Sequence, residues 1–356
     1  MRAGFDAHMV GRRETGNETY TLGLLKGMQD IGFPLDTYSL QPLPFRLHRQ
    51  HHVAPANPAV RIPLTTPLLA VRDRLDLFHA TYVLPPLMPC PTVVTVHDIS
   101  YQLHPEWFVP RVRRMLSMLV PRSLRSASKI IAISEQTKRD IVERYGISPD
   151  KIAVTYLAPR PAFALAEAER EREPFFLAVG NIEPRKNVGT LIRALATVRR
   201  RHPEARLVIA GKPGLGAQAI HELAASLGVS EAVRFLGYID DAALRRLYAT
   251  CAAHVHAAWY EGFGLTVLEA MVQGSPVIAS GASSIPEVTG DAALLVDPAD
   301  PQAWAAAMER VLEDPKLRDS LSAGGRERAA MFSWERCARQ TADIYGEALQ
   351  DHGTKG

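Results

Sequence analysis

Cysteine is nearly missing from this chain. Its 356 residues hold three, Cys90, Cys251 and Cys337, too far apart for any zinc or redox spacing. An odd, scattered set also argues against a disulfide scaffold, so a reducing cytoplasm is the expected setting. No run of about 18 uncharged apolar residues exists, which excludes a membrane-spanning helix. The opening Met1-Arg2-Ala3-Gly4-Phe5-Asp6 reads at once as a strand, without an apolar leader or cleavage site. A Gly-x-Ser-x-Gly elbow and a zinc-ligand helix are both lacking, which disfavours the common hydrolases. The dinucleotide turn Gly-x-Gly-x-x-Gly is missing after the first strand: Gly11, Gly16 and the later Gly211-Lys212-Pro213-Gly214-Leu215-Gly216 fall at other spacings. That counts against a Rossmann oxidoreductase. With no Asp-x-Asp triad to hold a divalent ion between phosphates, no metal is expected. Aromatics are 7% of residues and do not interleave with the basic ones, so nucleic acid is not an expected partner.

What is present is ordinary for a globular protein: 47% apolar and 22% charged residues. The length exceeds the roughly 250–300 residues at which single cores stop growing, so two domains are expected. The net charge of +3 hides an asymmetry, residues 1–165 carrying +7 and residues 166–356 carrying −4. Within the basic half, Arg111, Arg113, Arg114, Arg122, Arg125 and Lys129 interleave with Met115, Leu116, Met118, Leu119 and Val120. Two readings stay open, a solvated face above a packed one and a basic amphipathic helix lying on a membrane surface.

Short apolar runs alternate with helical patterns from end to end. Strands are predicted at Arg2–His8, Leu35–Leu40, Asp76–Ala80, Val93–Asp98, Ile130–Ser134 and Ile152–Leu157, then at Phe175–Gly180, Arg206–Gly211, Val233–Gly237, Ala253–Ala258, Val277–Ser280 and Ala293–Val296. Helices are predicted at Asn17–Ile31, Pro110–Ser126, Glu135–Tyr145, Val188–Arg200, Ala217–Leu227, Asp241–Ala249, Leu265–Gln273, Pro301–Leu312 and Trp334–Leu349, and the proline-rich Gln41–Pro67 reads as loop on the acceptor side. This alternation predicts an α/β protein of two doubly wound parallel-sheet domains. Pro159, Pro161 and the charged Glu167–Glu173 stretch mark the break. The expected division is 1–165, 166–332 and a last helical segment 333–356 that crosses back to the first domain, with Ser333 as its cap. His97-Asp98, Gly180-Asn181 and Glu261 each follow a predicted strand, so they are expected to line one central cleft.

The most informative stretch is Glu261-Gly262-Phe263-Gly264-Leu265-Thr266-Val267-Leu268-Glu269, an apolar strand running into a glycine loop and a helix. The helix start offers unpaired N–H groups and positive dipole to an anion, and glycine lets backbone approach it. The two carboxylates repel phosphate and suit hydroxyls instead. Phosphate plus hydroxyls suggests a nucleotide sugar. A second loop, Gly180-Asn181-Ile182-Glu183-Pro184-Arg185-Lys186-Asn187, sets adjacent cations before a helix, able to neutralise a diphosphate.

With these two loops together, the chain resembles a family 4 glycosyltransferase of the GT-B fold. Glu261…Glu269 is similar to that family's paired-glutamate signature, and Pro184-Arg185-Lys186-Asn187 to its basic loop. Gly16-Asn17-Glu18-Thr19-Tyr20, Val96-His97-Asp98, His104-Pro105-Glu106-Trp107-Phe108, Ile133-Ser134-Glu135-Gln136-Thr137-Lys138 and Phe235-Leu236-Gly237-Tyr238 extend the likeness over Arg2 to about Leu349. The resemblance implies two Rossmann-like domains facing a cleft. It also implies transfer of a hexose from a nucleoside diphosphate sugar, with retention, to a glycan or lipid-linked glycan, with no cofactor beyond that donor. It assigns Glu269 to ribose, Glu261 to the donor sugar and Lys186 and Arg185 to the diphosphate. The amides of Gly262, Phe263, Gly264 and Leu265 approach sugar or phosphate, and Gly16 brings backbone near the diphosphate. His97 faces the donor sugar, oriented by Asp98. Phe235, Gly237 and Tyr238 bound the base. Asn181 departs from the pattern, since many relatives carry a phosphate-binding arginine there. The likeness is greatest to bacterial mannosyl- or rhamnosyltransferases of surface-polysaccharide assembly, so the expected donor is GDP-mannose first and a UDP-hexose second, and the expected location is cytoplasmic, at the inner face of the membrane. Two alternatives remain, a nucleotide-sugar epimerase of the same architecture and a non-catalytic nucleotide-sugar-binding protein.

Overall fold

The structure is a computed structural model and describes residues 1–11, 15–45, 49–163 and 171–353. The chain divides into two compact units, one of Met1–Ala158 with Ser333–Gly356, the other of Pro159–Phe332. Glu167 in the predicted break lies outside the described residues.

The first unit holds seven strands: β1 (Ala3–Asp6), β2 (Leu35–Ser39), β3 (Arg49–His52), β4 (Leu77–Thr81), β5 (Thr92–Val96), β6 (Lys129–Ala132) and β7 (Ile152–Val154). Their order is β3-β2-β1-β4-β5-β6-β7, every pairing parallel. Parallel strands covered on both faces read as unbroken β-branched runs, as Thr92-Val93-Val94-Thr95-Val96 does, buried at every position. One face packs Phe78, Ala80, Val94, Val96, Ile130 and Ala132 against Val120, Leu124 and Ile141. The opposite face is polar in part: His79 bridges the Tyr345 hydroxyl and Thr95 Oγ1, each at 2.7 Å, and Tyr20 OH lies 2.8 Å from Thr95 Oγ1. Helices Thr15–Asp30 and Trp334–Gly353 therefore cover this face. They approach so closely that a Cβ on Gly23 would sit 2.1 Å from the Trp334 ring. Ser333 caps the second of them, accepting from the Arg336 amide at 3.1 Å.

Local signals fixed several boundaries. Helix Glu135–Tyr145 is bounded by Ser134, whose hydroxyl accepts from the Thr137 amide, and by left-handed Gly146. Gln41–Pro67 is a correction. It supplies the edge strand β3 and most of a continuous helical stretch, Pro58–Arg72, whose middle turn Arg61–Thr65 is π-wide. Asn57 caps the start, and Pro58 falls where a helix tolerates proline.

The second unit holds β8 (Glu173–Val179), β9 (Arg206–Ala210), β10 (Val233–Gly237), β11 (Cys251–His256), β12 (Val277–Ser280) and β13 (Leu294–Val296). The order β10-β9-β8-β11-β12-β13 is again wholly parallel. Phe176, Ile209 and Val255 pack on Leu191, Leu195, Trp304 and Met308. Helix Pro315–Ala329, which the sequence reading omits across Gly324-Gly325, is capped by Asp314. In both sheets the strand order reverses beside the first strand, between β1 and β4 and between β8 and β11. Ligands of open α/β sheets bind outside the carboxyl ends at such reversals.

Candidate functional site

In the second unit, β8 and β11 deliver the two sequence-marked loops to that reversal. Asn187, left-handed at φ 54°, donates its amide to the carbonyls of Ala257 (3.1 Å) and Pro298 (2.7 Å). The Trp259 amide donates to the Arg185 carbonyl at 2.9 Å. The loops are thereby stitched together, and their charged side chains converge. Lys186 Nζ reaches Glu261 Oε1 at 2.5 Å, Arg185 Nη1 reaches Oε2 at 3.0 Å, and His256 Nε2 stands 3.4 Å from Oε1. Burial by itself would raise the Glu261 carboxyl, but Arg185, Lys186 and His256 hold it well below the usual carboxylate range. Glu261 is therefore ionised at any neutral pH.

Its backbone is pinned as well. Ser283 Oγ accepts from the Glu261 amide (3.2 Å) and donates to its carbonyl (2.7 Å), while Ser284 Oγ donates to the carbonyls of Glu261 (2.8 Å) and Phe263 (2.9 Å). Gly264 then opens helix Leu265–Val272 at φ 116°, with no side-chain cap. A Cβ there would meet Ile285 Cδ1 at 2.8 Å, so only glycine fits. An uncapped helix start beside an ionised carboxylate and two cations can receive phosphate on one side and hydroxyls on the other.

The other assigned side chains have partners of their own. Arg185 is shared between Glu261 and Glu183, its Nε standing 3.2 Å from Glu183 Oε2, so both cations are committed to carboxylates until a diphosphate competes for them. Glu269, 1% exposed, is gripped by Arg160 through two bonds of 2.6 and 2.9 Å. Asn181 is exposed and its Oδ1 accepts from the Lys212 amide at 3.3 Å. Tyr238 is 71% exposed, with Lys212 Nζ 5.5 Å from its ring centre. The Phe235 ring is tilted on His221 at 3.9 Å.

In the first unit, His97 follows β5 and is buried between the rings of Tyr20 (4.8 Å) and Tyr82 (5.5 Å). Burial pushes it down to about 3, so the imidazole is neutral, and its Nε2 has no hydrogen-bond partner among the described residues. Buried nitrogens without a hydrogen-bond partner are uncommon in folded proteins. Asp98 does not orient it. Asp98 Oδ1 instead accepts from the amide (3.0 Å) and hydroxyl (2.7 Å) of Ser100, the first residue of the short helix Ser100–Leu103. Gly16 is also corrected: helix Thr15–Asp30 begins before it, so it sits exposed in the first helical turn rather than in a loop.

Sequence reasoning missed a second cluster, at the carboxyl end of β1. Arg61 Nη1 donates to both oxygens of Asp6 at 3.0 and 2.8 Å, and His8 Nδ1 is 3.1 Å from Asp6 Oδ2. Burial would raise the Asp6 carboxyl, yet His8 and Arg61 bring it down to about 2. It also missed Ser283, Ser284, His256 and Arg160. Only the serine pair, just before Ile285-Pro286, carries a local signal.

Comparison with known proteins covers both units. Residues 14–158 match the model "Glycosyltransferase Family 4", and residues 161–328 match "Glycosyl transferases group 1". The chain is 35% identical over 292 residues to the O-antigen chain mannosyltransferase B of Escherichia coli, across 78% of this chain and 76% of that protein. It is 34% identical over 252 residues to a D-inositol 3-phosphate glycosyltransferase of Salinispora arenicola, across 64% of this chain; the match spans 56% of that relative's length. Sucrose-phosphate synthase from Thermosynechococcus elongatus has the same fold, with TM-score 0.79 at 23% identity over 98% of this chain and 99% of that one.

Proposed function

The chain belongs to glycosyltransferase family 4, and from that premise we propose that it moves a mannose-like hexose, with retention and without a metal ion, from a nucleoside diphosphate sugar to a glycan or lipid-linked glycan. The observation that carries this is Glu261, held ionised between Lys186 and Arg185 beside the uncapped helix start at Gly264. GDP-mannose is the first choice of donor, supported by the mannosyltransferase relative, and a UDP-hexose is the second.

The roles follow from charge. Breaking the anomeric bond leaves an oxocarbenium-like sugar and a diphosphate that gains negative charge. Lys186, Arg185 and the Leu265 helix start meet the diphosphate. As those cations turn toward phosphate, Glu261 is released toward the sugar, where a carboxylate either attacks the anomeric carbon or stabilises its positive charge. Both routes need Glu261 ionised. The neutral His97 ring, with one nitrogen unpartnered among the described residues, serves as a donor to a sugar hydroxyl.

Contact with an anionic membrane completes the reading. Two helical stretches of the first unit carry exposed apolar stripes, Val60, Leu64, Leu68 and Val71 on Pro58–Arg72, and Val112, Met115 and Met118 with the capping Val109 on Pro110–Ser126. Arg111, Arg113, Arg114 and Arg122 flank the second stripe and are exposed. No helix among the described residues is long and apolar enough to cross a bilayer, so contact would be at the surface.

The test is a thermal-shift screen of UDP-, GDP-, ADP- and dTDP-linked sugars, since a specific ligand stabilises by mass action. A shift with one sugar nucleotide, and release of its nucleoside diphosphate only when acceptor is added, is the expected result. Absence of any shift would remove the donor site. Interconversion of the sugar nucleotide without acceptor would make the protein an epimerase.

A further inference from the structure

Arg160 stands between two prolines, at the start of the second unit, and nothing in its local sequence marks it. Yet three sides of its guanidinium are held. Nε and Nη2 donate to Glu269 Oε1 and Oε2 at 2.6 and 2.9 Å, Nη1 donates to Asp241 Oδ1 at 2.6 Å, and the plane lies 4.5 Å from the Phe163 ring centre. Phe163 is itself fixed, fully buried, with its carbonyl accepting from Gln273 Nε2 at 3.2 Å just past the helix that carries Glu269. Glu269 is closed off from solvent, while the Arg160 side chain stays 29% exposed. A ligand approaching this carboxylate meets it alongside the arginine.

We propose that Arg160 is a positioning residue for ribose recognition, its fork fixing Glu269 in one rotamer with the carboxylate edge outside the fork left to accept the two ribose hydroxyls. The inference rests on the assignment of Glu269 to ribose made above. A carboxylate offers about four lone-pair directions; the arginine's fork takes two and the Arg160 backbone also bonds to Glu269, so the remaining outer edge is where the diol binds. Fork geometry is needed because lysine supplies only a point charge and leaves the carboxylate free to rotate.

Charge gives the arginine a second task. Burial raises the Glu269 carboxyl, and Arg160 is the cation opposing it; Asp241, bonded to the same arginine, raises it further, and Tyr248 lies close enough to feel the Glu269 charge, its hydroxyl donating to the Thr266 carbonyl at 3.0 Å. Without Arg160 the carboxyl moves up again. A protonated Glu269 can donate one hydrogen bond but no longer accepts two strong ones. Nucleotide affinity of Arg160→Ala should therefore climb as pH rises from 6 to 8.5, where wild type changes less.

The experiment titrates GDP, UDP and their 2′,3′-dideoxy analogues into wild type, Arg160→Ala and Arg160→Lys by calorimetry, with circular dichroism and melting curves as the check on folding. Wild type should prefer the ribonucleotide of its cognate base by about tenfold or more, the expectation for hydrogen bonds to a charged acceptor. Arg160→Ala should reduce that preference to within about twofold, and Arg160→Lys should keep part of it. A purely structural arginine would lower the melting temperature and leave the ratio intact, which overturns the proposal while Glu269 keeps its role. Tighter ribonucleotide binding by Arg160→Ala would also overturn it, making Arg160 an obstruction. If wild type itself does not distinguish ribo from dideoxy, the ribose assignment of Glu269 falls and takes this inference with it. Should Arg160→Ala not fold, the ratio measured on Arg160→Lys decides alone, unchanged preference counting against the fork.

Discussion

Both sheets of this protein place a carboxylate among basic groups at the point where strand order reverses, and the two clusters are built to opposite ends. In the first unit Asp6 is clamped by Arg61, itself 3% exposed, with His8 alongside. In the second, Glu261 is met by Lys186 and Arg185, whose side chains remain 13% and 30% exposed. The first cluster joins residues 55 apart in sequence, tying the end of β1 to the Pro58–Arg72 helical stretch. The second joins two loops whose backbones are independently stitched by Asn187 and by the Ser283-Ser284 pair. Where the scaffold is held by other bonds, charged side chains are free to exchange partners. Where the ion pair is itself the tie, they are not.

The largest expected effect tests that distinction. Arg61→Ala leaves Asp6 buried without its arginine, and breaking one side of a buried pair costs about 3–5 kcal/mol. Chemical denaturation should register that loss, with donor binding to the folded fraction unchanged. Lys186→Ala should do the reverse. Removing one preorganised group aimed at developing charge costs roughly 10²–10³ in turnover, about 3–4 kcal/mol of barrier. Its melting curve should move little, because Arg185 still pairs with Glu261. Near-normal turnover in folded Lys186→Ala would take the lysine out of the site, and a large loss of stability would erase the contrast with Arg61.

The same contrast explains what could be read from sequence. The sheet strands other than the exposed edge strand β3 were legible because buried parallel strands are continuous apolar runs, and helix Glu135–Tyr145 was legible to the residue because a serine cap and a left-handed glycine flank it. Glu261, Lys186 and Arg185 were legible because each lies in a contiguous loop after a strand. Asp6 with Arg61, and Arg160 with Glu269 at a separation of 109 residues, were not. A lone arginine carries no pattern, and prolines at 58, 63 and 67 made a helical stretch look like loop. Asp98 misled because adjacency to His97 suggests contact, whereas successive residues leaving a strand point to opposite sides.

Acid titration separates the units on a smaller scale. His79 and His97 in the first unit and His254 in the second are each pushed down to about 3 by burial. Folding therefore keeps protons off groups that would bind them once unfolded. The stability these neutral rings contribute is fully present above the ordinary histidine range and is lost as pH falls from about 6.5 toward 3, by up to about 1.4 kcal/mol per pH unit for each ring. Between pH 6.5 and 5 the carboxylates Asp6 and Glu261, both held low, stay ionised in the folded state, and what protonation they gain on unfolding near pH 5 is the same in wild type and variant and cancels in the comparison. Denaturation of wild type and His97→Gln across this window should show the variant's slope smaller by about one proton. Equal slopes would mean that His97 is charged in the folded protein.

The smallest effect per residue concerns the outer surface. Exposed large apolar side chains in the second unit are scattered along the sequence, at Leu215, Leu227, Tyr238, Trp259, Leu295 and Met331, whereas the first unit, apart from Met1, Leu87 and Leu103, presents them in two helical stripes. An arginine near an anionic surface contributes about 1 kcal/mol, and added salt removes that attraction because it is electrostatic. The triple replacement of Arg111, Arg113 and Arg114 by glutamine should therefore weaken binding to anionic vesicles by about a hundredfold at low salt. Met115→Ser with Met118→Ser should weaken it at every salt concentration, since burial of apolar surface is not screened. Turnover on a water-soluble acceptor should stay at the wild-type rate in both variants, because none of the replaced residues is among those proposed to touch the donor. Equal wild-type binding to anionic and zwitterionic vesicles would reduce the arginines to solvated surface, and the asymmetry between the two halves of the chain would then have no functional meaning.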